Sequence, residues 1–178
     1  MKLTDLLPLE TWKALEDEIF ARSGLQASVS DIDGIHITDT KRWANRLCPL
    51  IKADDRGQST ICALAHMNLA NEARETKQPV IGECDAGMAK LVVPIFYGDE
   101  FLGAAGGCGL LLDDGEVDGF LLNKTLDLPE EKTEALSEGI TRLSTARMQE
   151  LADFIGNWLA RHIPKTGGDH AAPPTEQE

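Results

Sequence analysis

The sequence predicts a single α+β domain, an antiparallel sheet flanked by helices and closed by a long amphipathic C-terminal helix. Three observations predict it. The 178 residues, 42% hydrophobic and 26% charged, suffice for one well-buried core and are few for two. Short alternating or apolar runs are joined by tight Asp and Gly turns, which favours hairpins over the crossovers of a parallel sheet. Met148, Leu151, Ala152, Ile155, Trp158, Leu159 and Ile163 recur at helical spacing and form one apolar stripe.

In chain order, Leu9, Trp12, Leu15, Ile19 and Phe20 mark a first helix, with Pro8 suited to its first turn and Gly24 to its end. Leu25 to Ser30 alternates as a strand. Asp31-Ile32-Asp33-Gly34 supplies an Asp-Gly turn, and Ile35 to Thr38 returns antiparallel. A loop carries Trp43, then Cys48 to Ala53 makes one or two helical turns that Asp54 to Gly57 breaks. Ser59 is placed as the cap of a helix reaching about Lys77, its hydroxyl meeting a free amide of the first turn. Pro79–Glu83 and Lys90–Tyr97 read as strands around a Cys84–Met88 loop. The turn Tyr97-Gly98-Asp99-Glu100 returns the chain as Phe101–Leu111, and Val117 to Lys124 is a short helix. Pro164 ends the final helix. Residues 1–163 form the expected domain, and 164–178, rich in Pro, Gly and polar residues, an expected disordered tail. Sheet and helices in this order make an α+β architecture of the PAS or GAF sort.

Charge narrows the function. A formal net charge of -13 disfavours sequence-independent binding to nucleic acid and to anionic membrane surfaces, both of which need clustered Lys and Arg. No apolar run approaches the ~20 residues of a membrane span, and the first ten residues lack a secretory arrangement. The expected address is the cytoplasm, where the four cysteines stay reduced.

Those cysteines carry the candidate chemistry. With Ser59 as cap, Cys62 falls in a first helical turn, where free amides and the helix dipole would depress its pKa. His66 follows one turn later on the same face. Cys48 and Cys84 could complete a tetrahedral set with them, Cys48, Cys62, His66 and Cys84, for zinc or another soft metal. The spacings match no compact zinc signature, and thiols lining a small-molecule pocket are the competing reading. Asp85 and Lys90 flank the Cys84 loop, where either could tune a thiol or bind a polar ligand. Gly103, Gly106, Gly107 and Gly109 lack the order of a nucleotide loop, leaving close packing or close approach to a ligand as their use.

Cys48 before a short helix, Cys62 opening the next, Cys84-x-Ala-Gly, Pro94-Ile95, Gly103 and Gly106-Gly107 together resemble the PocR sensory-domain family from about Leu9 to Ile163. The resemblance implies a PAS-like ligand-binding fold. It also implies sensing of small hydrocarbon derivatives such as propanediol, in regulators, histidine kinases or chemoreceptors. Cys48, Cys62 and Cys84 would be the family cysteines around the pocket. Asp85 stands where relatives often carry His, and Cys108 where they often carry Gln, which adds Cys108 to the candidate ligand-binding residues. The expectation is a stand-alone, non-enzymatic sensor signalling to a partner such as a histidine kinase or regulator, or to a homodimer mate. The alternative is a thiol-based redox enzyme on a GAF-like fold, with Cys62 reactive and Cys84 or Cys108 resolving.

Overall fold

A computed structural model describes residues 1–164, so all of the expected tail except Pro164 lies outside the described residues. A single turn, α1 (Leu3–Leu6), precedes α2 (Leu9–Ser23). Gly24 ends α2 at φ 74°, its N–H donating to Phe20 O, the left-handed stop that glycine adopts without strain. Then come β1 (Gln26–Asp31), α3 (Cys48–Ala53) and a long composite helix. That helix begins as α4 (Asp55–Gly57), widens into a π-helix (Gln58–Ala63) and continues as α5 (Leu64–Thr76). The strands β2 (Val80–Glu83), β3 (Ala89–Tyr97) and β4 (Glu100–Leu112) follow. Last are α6 (Gly119–Leu126), α7 (Glu130–Ser137), β5 (Arg142–Leu143) and α8 (Thr145–His162).

The four main strands pair antiparallel in the order β1-β4-β3-β2, and β5 adds two residues in parallel to the end of β4. This is the expected α+β class. Its first face is the core. Ala27 and Val29 of β1, Leu91, Val93 and Ile95 of β3 and Ala105 of β4 meet Trp12, Leu15 and Ile19 of α2. The α8 stripe from Met148 to Leu159 packs into the same cluster, so this helix uses its apolar face to cover the sheet. Trp12 and Trp158 meet at 5.9 Å between ring centroids. On the second face α5 lies over β2 and β3, with Ala73 against Val80, Val92 and Ala104.

Two expectations are corrected. Ile35 to Thr38 is not a strand: Ser30 and His36 form one isolated bridge, and the segment only touches the edge of β1. Ser59 is not a cap. Asp54 takes that role, its carboxylate accepting from Gly57 N at 2.9 Å, and Ser59 sits inside the helix with its hydroxyl donating to Asp55 O. Two elements were not foreseen, α7 and β5. α7 buries little beyond Thr133, and two-residue β5 is held by its neighbour rather than by a pattern of its own.

Candidate functional site

β1 explains why the second face holds a site. Its core-facing Ala27 and Val29 alternate with Gln26, Ser28 and Ser30, so a polar row points to the opposite side. The register sets Gln26 beside Cys108, and Cys108 beside Lys90, in one line across three strands. Ser28, which also lines the cavity, lies beside Gly106 in the register. Over this floor pass α3, the π-helix and α5. Between them lies a cavity of about 470 Å³.

Cys48, Cys62, His66, Cys84, Lys90 and Cys108 all line this cavity. Asp85 does not: it is exposed on the turn in which Gly87 N bonds Cys84 O, which points it away. Cys48 is buried and the other three thiols are half-buried, all of them free. Among the described residues no three His, Cys, Asp or Glu side chains come together as a metal-holding group. Metal binding is therefore not supported, and Cys48, Cys62, His66 and Cys84 share the cavity wall without forming such a group.

The activation expected of Cys62 is also overturned. Because α4 and the π-helix precede it, Cys62 lies well inside the composite helix, away from the free amides of the first turn. Burial pushes its thiol up to about 11, and burial pushes Cys48 up to about 12. Cys84 is raised by burial as well. These are protonated, weakly nucleophilic thiols at neutral pH.

His66 is fixed rather than free. Its Nε2 lies 3.1 Å from Ser30 Oγ, and Gly34, at φ 77°, closes over the ring so tightly that a Cβ there would reach 2.9 Å from His66 Cδ2. Burial first, then the charge of Lys90, lowers its pKa to about 4. The same causes, with Lys52 ahead of Lys90, act on His36; it is exposed at the cavity mouth, where solvent weakens them. Both rings are neutral at pH 7.

Asn45 joins the parts. Its Nδ2 donates to Gly109 O at 2.6 Å and to Cys48 Sγ at 3.1 Å. Its Oδ1 accepts from Leu47 N and Cys48 N, each at 2.8 Å, which satisfies the start of α3. Gly109 must stay small: at φ 104° a Cβ would sit 2.9 Å from Ala44 Cβ and 3.2 Å from Asn45 Nδ2. At Gly106 the limit is the neighbouring strand, because a Cβ would overlap the Leu91 carbonyl. Sequence reasoning missed Gln26, His36, Asn45 and Lys52. The alternation of β1 signalled Gln26, and Lys52 is one helical turn from Cys48; His36 and Asn45 reach the site through irregular loops that carry no periodicity.

Fold and site together define a class, an α+β domain with a partly open cavity between its sheet and helices. The particular family follows from comparison with protein families: the sensory domain found in PocR matches residues 5–167, and the chain belongs to that family. No match was found among curated proteins or among solved structures. Membership supports a sensing role. Among the described residues no helix is long and apolar enough to cross a membrane.

Proposed function

We propose that the chain is a cytoplasmic ligand sensor whose small-molecule ligand occupies the cavity between the sheet and the π-helix–α5 segment, and that the bound state is passed to a partner protein. The observation that carries this reading is the cavity itself: about 470 Å³, the size of a small-molecule site, in a chain belonging to a sensory-domain family. Cys48, Cys62, Cys84 and Cys108 are its soft, weakly polar wall, and Lys90 and His66 its polar points. The raised pKa values of Cys48, Cys62 and Cys84 favour binding over thiol turnover as the use of those three. β3 and β4 contact both the helices over the cavity and α8, which gives a route from ligand to the C-terminal helix and on to a partner such as a histidine kinase or regulator.

Native mass spectrometry of the wild type and of Cys62→Phe tests the reading. The wild type is expected to retain a small molecule, and the ring of Cys62→Phe, filling the cavity, to exclude it with the fold intact by circular dichroism. Retention of the same molecule by folded Cys62→Phe would put the ligand elsewhere and overturn the reading.

A further inference from the structure

Three cationic side chains line the cavity: Arg74 is exposed and lies 5.6 Å from the Phe101 ring centre, whereas Lys52 and Lys90 are half-buried, and none of the three has a counter-ion among the described residues. Lys52 of α3 and Lys90 of β3 both line the cavity and are half-buried. Acidic residues outnumber basic ones 30 to 17 in this chain, yet among the described residues neither lysine pairs with a carboxylate; the ion pairs involve other basic groups. Asp31 and Asp33 of the β1 turn also line the cavity, and Asp31 Oδ1 accepts from Asp33 N and Ile35 N at 3.0 Å each, but among the described residues neither carboxylate pairs with Lys52 or Lys90. A half-buried ammonium is costly unless compensated. Two facing one cavity leave a positive site with no paired carboxylate among the described residues.

Gln26 adds an independent sign. It is 4% exposed, lines the cavity, and its Oε1 has no hydrogen-bond donor among the described residues. Buried acceptors are rarely left without a partner, and turning the Gln26 amide over would present Oε1 to the cavity, where a ligand donor can meet it. Gln26 lies in line with Lys90 across β4, two strand spacings or about 10 Å away at the backbone, a span that suits a short molecule.

We propose that the cavity takes a short organic carboxylate, its anionic end held by Lys52 and Lys90 and a hydroxyl or N–H donor at its other end meeting Gln26. The proposal rests on the cavity being the sensor's ligand site and narrows what that site accepts. The half-buried thiols Cys62, Cys84 and Cys108 flank the carbon chain. A neutral alcohol of the same skeleton would leave both ammonium groups uncompensated.

Calorimetric titration of the full chain with matched pairs, propane-1,2-diol against lactate and C4 to C6 alcohols against their carboxylates, is the test. For the best-bound pair the carboxylate is expected to bind at least about tenfold more tightly, the worth of one charge-assisted hydrogen bond. In Lys52→Met and in Lys90→Met, which keep chain length and remove charge, that preference should collapse. Lys124→Met, exposed on α6, should keep it. Thermal midpoints of the ligand-free variants identify any that fails to fold, and the two lysines test one charge from two separate elements. Equal or tighter binding of the neutral partner overturns this proposal and leaves the sensor reading standing. Binding of neither class by the folded wild type overturns both.

Discussion

The two faces of the sheet are built from the same strands and do opposite things. On the α2–α8 face, Val29, Leu91, Val93 and Ile95 interlock with Trp12, Ile155 and Trp158 in a closed apolar cluster. On the other face, alternate residues of those strands, Gln26, Ser28, Lys90 and Cys108, are polar or soft and surround empty volume. Strand periodicity makes the division possible, since neighbouring residues serve different faces. Stability is concentrated on one side, which leaves the other free to hold polar groups without partners.

The sharpest way to break this comparison is to strike the core face. Trp158→Ala removes a side chain only 8% exposed that packs on Trp12 and stacks on His162, and should cost ~3–5 kcal/mol in urea unfolding. A loss below that of cavity-face variants would show that the division of labour is misdrawn. Next is the hinge between the faces. Gly109→Ala meets both a left-handed backbone and the Ala44–Asn45 contact, and should cost roughly 1–3 kcal/mol. Unchanged stability would mean that the Asn45 clamp yields easily.

The cavity face should announce itself through pH. Folded His66 is protonated only near pH 4, whereas the histidine of an unfolded chain takes its proton near 6.5. The unfolded state therefore binds more protons between these values, so stability present above pH 6.5 is lost as pH falls toward 4. His66→Gln should flatten that part of the pH–stability curve. An identical slope in the variant would assign the acid loss to His36 or to carboxylates instead.

The smallest effect is expected from single thiols. Cys62→Ala should change stability by no more than about 1 kcal/mol, because the small, half-buried side chain borders the cavity on one side and packs on the Leu47–Ile51 cluster only in part. Its alkylation at neutral pH should be slow, given a thiol pushed up to about 11. Rapid, selective labelling of Cys62 would contradict that environment and reopen thiol chemistry.

Periodic parts of this chain were legible and aperiodic ones were not. The α8 stripe and the Tyr97–Glu100 turn follow from local spacing, and both stand where the sequence puts them. Ser59 misled because a good capping residue is persuasive until an earlier one takes the position, and Asp54 with Gly57 three residues later did so. That single shift moved Cys62 away from the free amides and reversed its electrostatics. The convergence of four cysteines was legible only as a suspicion, since their spacings are set by tertiary packing; Lys90 was marked by its place beside the Cys84 loop, and Lys52 only by its one-turn spacing from Cys48.

The π-helix is, in effect, an α-helix carrying one inserted residue. Deleting a residue between Gln58 and Ala63 would let the segment return to regular α-helical bonding, a locally more favourable state. It would leave α4 and α5 in about their present orientation, because a π turn absorbs its extra residue locally, and would take away the widened segment whose Ser59, Ile61, Cys62 and Ala63 line the cavity. The domain therefore keeps an inferior helix in order to keep its cavity, and a one-codon deletion there should yield a sounder rod and an empty-handed protein.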